Sequence, residues 1–117
     1  MTRIVNDRYG ERYYIEANGH AVYDEEFAFT GELEGENESV RVCAAVSILM
    51  LAVAARLQEM EKNGDFIHSC ITVEGGYALF DIQPRYDCIE RLEEIIEVLM
   101  SGLSLLEEAY PGLVTVE

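Results

Sequence analysis

The fold is decided by the stretch Val42–Ala55, which reads Val-Cys-Ala-Ala-Val-Ser-Ile-Leu-Met-Leu-Ala-Val-Ala-Ala. Alanine, leucine and methionine favour a helix, and no glycine or proline interrupts the run. A helix that is apolar nearly all round is buried on most of its sides. The sequence therefore predicts a central helix that the rest of the chain covers.

Cys43 stands in the first turn of this helix, which we expect to run from about Ser39 to Lys62 and to end at Gly64. A thiol at a helix N-terminus faces unpaired backbone N–H groups and the positive end of the helix dipole. Both stabilise the thiolate, so Cys43 is a candidate nucleophile. The alternative is that Cys43 is a small apolar residue of the core, as most buried cysteines are.

The chain is strongly acidic. It has 8 Lys and Arg residues against 23 Asp and Glu, for a net charge of −15 over 117 residues. This charge repels the phosphates of nucleic acids, so we expect no direct binding to them. It attracts basic proteins and speeds their encounter at low salt, although solubility alone is a sufficient reason for it.

The cysteines favour a reducing compartment. Cys43, Cys70 and Cys88 are odd in number and lack CxxC spacing, which argues against a disulfide framework and for the cytoplasm. No spacing of His68 with these thiols supports a metal site, so we expect no metal or cofactor, core positions for Cys70 and Cys88, and a surface position for His68. The N-terminus lacks the apolar core of a signal peptide. Because the run Val42–Ala55 is shorter than the roughly twenty residues that span a bilayer, we also expect no membrane segment.

Alternating apolar and polar residues predict five strands separated by turns and helices. We expect these strands at Thr2–Asn6, Arg12–Asn18, Phe66–Val73, Tyr77–Ile82 and Leu113–Val116. A second helix follows Pro84, with Asp87 as N-cap and Glu90 completing a capping box, and Pro111 ends it. The order ββαββαβ predicts a single α+β domain, residues 1–117, in which a mostly antiparallel sheet and two helices form a two-layer sandwich.

A long acidic segment, Ala21–Ser39, joins the second strand to the central helix. Its carboxylates repel one another and keep it solvated, and a connection of this length in a compact domain is usually functional or disordered. Phe27 and Phe29 are aromatic residues within it that need a place to dock. We expect them to pack on the domain or on a partner, since aromatic side chains gain most by burial.

His20 lies just past the strand that ends near Asn18, and Cys43 lies at the other end of the acidic segment. A cysteine nucleophile needs a base that shares its proton, and such a histidine is near in space rather than in sequence. Both ends of the segment can converge at one edge of the sheet. His20 and Cys43 are therefore the candidate catalytic pair.

Several strings of the sequence are similar to one protein family. They are Gly19-His20-Ala21, Val42-Cys43-Ala44-Ala45-Val46-Ser47, Glu74-Gly75-Gly76-Tyr77 and the ending from Gly102 to Val116. Together they make nearly the whole chain resemble the ribosomal-processing cysteine protease Prp family. The Cys-Ala-Ala-Val-Ser string is the most specific of them.

The resemblance implies a small, cytoplasmic, homodimeric cysteine endopeptidase. Its substrate would be a basic ribosomal protein, from which it removes a short N-terminal extension by cutting after Phe. The resemblance implies Cys43 as nucleophile and His20 as general base and then acid. Ala44 would offer a backbone N–H to the oxyanion. Ser47, one helical turn after Cys43, would either support the site or bond back to its own helix.

Two features depart from the family pattern. Cys43 follows His20 by 23 residues, a longer separation than the family usually keeps. Val40 stands where the family commonly has an acidic residue. If that residue orients the histidine, its role here is vacant or falls to Glu38 or Asp24. One alternative is therefore a phage-type protease that processes capsid or scaffold proteins. The other is a catalytically inactive, dimeric binding module of the same fold.

The acidic segment also contains the bond between Phe27 and Ala28, which is similar to the bond that the family cuts. The resemblance therefore makes the part of the segment that holds Phe27 and Phe29 a candidate substrate loop. It would act either as a lid over the substrate pocket or as a site of self-cleavage.

Overall fold

Within the residues that the structure describes, five strands and two helices follow one another in the predicted ββαββαβ order. The computed structural model describes residues 2–18, 38–74 and 76–117. The elements are β1 (Thr2–Tyr9), β2 (Arg12–Asn18), α1 (Glu38–Lys62), β3 (Phe66–Glu74), β4 (Tyr77–Pro84), a 3₁₀ turn (Tyr86–Cys88), α2 (Ile89–Ala109) and β5 (Val114–Val116). The predicted α+β fold is confirmed.

The strands form one sheet in the order β3-β4-β2-β1-β5. Every neighbouring pair is antiparallel except β1 and β5, which run parallel. Side chains alternate between the two faces of each strand. The face against the helices carries the buried residues Ile4, Ile15, Ala17, Ala78, Phe80, Ile82 and Val114. Both helices pack on this face, which gives the expected two layers.

The first hairpin turns more tightly than its sequence suggests. The predicted turn spans Asp7–Glu11, but β1 continues through Tyr9, which pairs with Arg12. Only Gly10 and Glu11 remain in the loop. Gly10 has a φ of 64°, and a glycine with positive φ at the first loop position is typical of a type II′ hairpin turn, whose twist matches that of the strands.

Helix α1 ends as the sequence predicts, at a left-handed glycine. Gly64 has a φ of 77°, its N–H bonds the carbonyl of Glu61 at 3.1 Å, and the N–H of Asp65 bonds the carbonyl of Met60 at 3.1 Å. These two bonds form a Schellman motif, which satisfies carbonyls that the helix end would leave unpaired. The motif reverses the chain so that β3 returns beneath the helix.

The prediction that α1 is covered on most sides is wrong. One face is buried in the core, whereas Ile48 is 55% exposed and Leu51 is 43% exposed. The reason is that α1 and α2 lie side by side on one face of the sheet, which leaves each helix an outer surface. They approach closely at Gly102, where an added Cβ would lie 3.2 Å from a methyl carbon of Leu49.

By length and composition alone, Arg41–Lys62 could cross a bilayer. One face of this helix is nevertheless buried against the sheet.

The predicted capping box at the start of α2 is also wrong. The helix begins at Ile89 after a 3₁₀ turn that contains Asp87, and no side chain caps it. The Asp87 carboxylate instead accepts a hydrogen bond from the Cys88 thiol, with an S–O distance of 3.6 Å. The extra turn places Asp87 too early to reach the N–H groups of the first helical turn.

A β-bulge alters which residues of β3 face the helices. Alternation predicts that Ile67 shares a face with Ile71, but the pairing with β4 shifts between Phe66 and His68. The shift adds one residue and reverses the alternation before His68. Phe66 therefore packs on the core together with Ile71, while Ile67 is 67% exposed.

Two isoleucines allow a matched test of this arrangement. Ile82 is 1% exposed and Ile67 is 67% exposed. We expect Ile82→Ala to lower the free energy of unfolding by about 2–5 kcal/mol, because it leaves a cavity in the core. Ile67→Ala should change it by less than about 0.5 kcal/mol. Urea denaturation of both variants measures the difference, and equal losses would contradict the bulge.

Candidate active site

Cys43 lies in the second turn of α1 and is half-buried. The sequence predicts a first-turn position, but the helix begins at Glu38. In the second turn each backbone N–H bonds the carbonyl four residues earlier. The N–H of Ala44, which is also half-buried, therefore has an acceptor within the helix, and it would reach an oxyanion only through a second, shared bond.

Ser47 lies one turn beyond Cys43 and is 4% exposed. Its hydroxyl has no hydrogen-bond partner among the described residues, so it does not bond back to its own helix. Leaving a buried hydroxyl unpaired costs about 1–3 kcal/mol. Unpaired buried polar groups are rare in native proteins and often belong to functional sites. The structure thus gives α1 a half-buried thiol and, one turn on, a buried hydroxyl without a described partner.

The topology places Cys43 at one end of the sheet. Since α1 turns directly into β3, the two elements run in opposite directions. Cys43 lies about 28 Å from Lys62 along the helix axis, and β3 is about 26 Å long. The start of α1 therefore lies near the end of β3, where Glu74 pairs with Tyr77. Asn18, the last residue of β2, also pairs with Tyr77, so β2 ends there too.

His20, Phe27 and Phe29 lie outside the described residues, as does Asp24. Of the predicted site residues, the structure brings together Cys43, Ala44 and Ser47 on α1. The positions of the other predicted residues stay predictions.

Tyr77 at this end of the sheet and Tyr14, four residues before the end of β2, lie beside Glu16 on the face of the sheet away from the helices. Burial raises the pKa of Tyr77, and the negative charge of Glu16 adds to the effect. The hydroxyl of Tyr14 donates a hydrogen bond to Glu16, which raises the pKa of Tyr14 to about 12. Both phenols therefore stay protonated at neutral pH, and neither is on the face of the sheet that α1 covers.

His68 is far from Cys43, as its pairing shows. It pairs with Gln83, whereas the end near Cys43 is marked by Tyr77. These positions are six residues apart along β4, which is about 20 Å. His68 lies at the surface, as predicted, and one of its ring nitrogens is 3.3 Å from the guanidinium of Arg12.

The sequence reading missed this surface cluster. Arg12 also donates to Asp81, with its Nε 3.1 Å from a carboxylate oxygen. Arg12, Asp81 and His68 come from three adjacent strands, and only the sheet order brings them together. The described residues contain no group of three or more His, Cys, Asp or Glu side chains that could hold a metal.

The other two thiols differ in their surroundings. Cys88 is 6% exposed, as predicted for a core residue, and burial raises the pKa of its thiol, with a further contribution from Asp65. The prediction that Cys70 is a core residue is wrong, because it is exposed. It pairs with Asp81, which lies on the face of the sheet away from the helices.

Comparison with known proteins identifies relatives in sequence and in fold. The family model described as cysteine protease Prp matches residues 1–115. No curated protein matches the chain. An essential ribosomal processing protease Prp from S. aureus, crystallised with a substrate peptide, is 16% identical, with a TM-score of 0.66 over 100% of this chain and 98% of that one. SMU.848 from Streptococcus mutans is 24% identical, with a TM-score of 0.64 over 100% and 96%. At these identities the likeness is one of fold.

The accessibility of the thiols predicts their reactivity. We expect iodoacetamide to alkylate Cys88 at least a hundredfold more slowly than Cys70 at pH 7.5. Burial excludes the reagent from Cys88, and the raised pKa of the Cys88 thiol lowers the fraction of reactive thiolate. Peptide mapping by mass spectrometry gives both rates. In concentrated urea the two rates should converge. Equal rates in the native protein would show that Cys88 is accessible.

Proposed function

The chain belongs to the cysteine protease Prp family, and on this premise we propose that it is an endopeptidase with Cys43 as nucleophile and His20 as general base. The observation that carries the proposal is the half-buried Cys43 near the start of α1, at the end of the sheet where β2 also ends. A cysteine nucleophile must be accessible to substrate, and this position meets that requirement.

Elimination supports His20 as the base. The chain has two histidines, and His68 lies about 20 Å of strand away from the end near Cys43. His20 follows Asn18, the last residue of β2, by two residues in the sequence. That strand end and the start of α1 share one end of the sheet. Of the two histidines, His20 is therefore the one whose sequence position adjoins this end.

The reaction follows the general course of thiol proteases. His20 takes the proton of the Cys43 thiol, and the sulfur attacks the carbonyl carbon of the scissile bond. The resulting oxyanion collapses, the C–N bond breaks, and His20 returns the proton to the leaving amine. His20 then draws a proton from water, whose oxygen attacks the thioester and releases the carboxylic acid. The C–S bond of the thioester breaks in this step, and His20 returns its proton to the Cys43 sulfur, which restores the free enzyme.

Ser47 and Ala44 are the supporting residues of this proposal. The Ser47 hydroxyl is buried one turn from Cys43 without a described partner. A fixed hydroxyl there can orient a neighbouring side chain of the site by donating or accepting one hydrogen bond. The Ala44 N–H would add a shared hydrogen bond to the oxyanion.

For the substrate, we propose the N-terminal extension of a ribosomal protein, cut after Phe, with the enzyme a homodimer in the cytoplasm. The fold neighbour from S. aureus is a ribosomal processing protease crystallised with a substrate peptide. The net charge of −15 favours encounter with a basic protein, such as a ribosomal protein.

Cleavage of a peptide that contains a Phe-Ala bond preceded by apolar residues tests the proposal. We expect the wild-type protein to cut after Phe and Cys43→Ala to lower kcat/KM at least about a thousandfold, since it removes the nucleophile. Cys88→Ala is the matched control, because it removes a thiol from the opposite end of the molecule. Mass spectrometry of the products locates the cut.

Two outcomes would contradict the proposal. Cleavage that survives Cys43→Ala would assign the activity to another group or to a contaminant. No cleavage by the folded wild type, together with tight binding of a basic ribosomal protein, would favour the non-catalytic binding module.

A further inference from the structure

Strand β3 stands at the edge of the sheet. Within the described residues it pairs with β4 alone, and β4 lies on its inner side. In an edge strand every second residue directs its backbone N–H and C=O away from the sheet. Such an edge is a template for pairing with another extended chain.

The middle of this edge lacks the features that commonly prevent pairing. Proteins commonly protect edge strands with charged residues, proline or bulges. In β3 the bulge lies at Ile67, near the beginning of the strand, and the charged residue Glu74 ends it. Between them, residues 69–73 contain no charged or proline residue and lead toward the start of α1.

The thiol of Cys43 shares its helix face with a residue that contacts this strand. Glu61 lies 18 residues after Cys43, which is five helical turns, so the two side chains point in the same direction. The Glu61 carboxylate accepts a hydrogen bond from the hydroxyl of Ser69 in β3. Leu49, by contrast, faces α2 at Gly102. Cys43 is thus on the side of α1 that faces the edge strand, and it lies near the end of that strand.

We propose that the substrate binds as an additional strand along the free edge of β3, which delivers its scissile carbonyl to Cys43. This inference rests on the proposed protease function and adds the mode of substrate recognition. The occupant is an extended peptide, because the edge offers backbone groups at strand spacing and ends at the nucleophile. Main-chain hydrogen bonds supply affinity in this mode, and alternate side chains supply specificity.

One set of substrate side chains would lie between β3 and α1. Leu51 lies eight residues after Cys43, about two turns further along α1. Its side chain is 43% exposed. Its apolar side chain would contact residues on the acyl side of the cut, next to the half-buried Ile71 and Val73. The other set would lie over the open face of the sheet, beside Cys70.

Backbone N-methylation of the substrate tests this mode. A Phe-Ala peptide is made in versions with one N-methyl group at each successive residue before the cut. We expect kcat/KM to fall at least tenfold at every second residue, where the methyl group removes a hydrogen bond and blocks the approach to β3. The intervening versions serve as matched controls and should be cut at nearly the unmodified rate.

Hydrogen exchange locates the contact. Addition of the unmodified peptide to Cys43→Ala should slow exchange of alternate amides between Ser69 and Val73 at least tenfold. This inference would be overturned if N-methylation had the same effect at every residue, or if the peptide slowed amide exchange elsewhere but not in β3. Either result would leave the protease function intact. If the β3 amides are protected without peptide, and this protection grows with protein concentration, the edge pairs with a second copy of the chain. That result would also overturn the inference. Failure to cut the unmodified peptide would overturn the proposed function itself.

Discussion

The packing of one face of α1 on the sheet is the interaction on which the rest of the structure depends. Val42, Val46 and Met50 are at most 1% exposed and lie in the same core as Phe80 and Ile82 of β4. Burying each such side chain contributes about 1.5–3 kcal/mol. This contact fixes the rotation of the helix about its axis. Because Cys43 belongs to the same helix, the hydrophobic core also determines the direction in which the Cys43 side chain points.

The length of the helix then determines where along the sheet Cys43 lies. The Schellman motif at Gly64 fixes the end of α1 above the beginning of β3. The helix is about as long as the strand beneath it, so its start reaches the far end of the sheet. Asn18 ends β2 at that place, and His20 follows within two residues. The proposed nucleophile thus lies on a rigid helix, and the proposed base follows a strand end in the sequence, an arrangement that is common for catalytic residues.

Much of the fold could be predicted from periodicity and turn residues, whereas pairing details could not. The ends of α1 were predictable, because an uninterrupted apolar run and the Asn63-Gly64-Asp65 sequence are strong local signals. The bulge at Ile67 was not, because it arises from pairing with β4 and leaves no local signature. The exposure of Cys70 follows from the sheet face on which it lies, and the sequence does not say which face the helices cover. The exposure of Ile48 could not be predicted either, because an apolar run does not reveal how many sides of its helix have neighbours.

The central claim is that His20 activates Cys43, and the alkylation rate of Cys43 tests it most directly. Iodoacetamide at pH 7 is applied to the wild type, to His20→Ala and to His68→Ala, with Cys70 in the same molecule as the reference thiol. We expect Cys43 to react at least tenfold faster than Cys70 in the wild type and in His68→Ala. In His20→Ala we expect the two thiols to react at similar rates. An alkylation rate of Cys43 that is the same in all three proteins would contradict it.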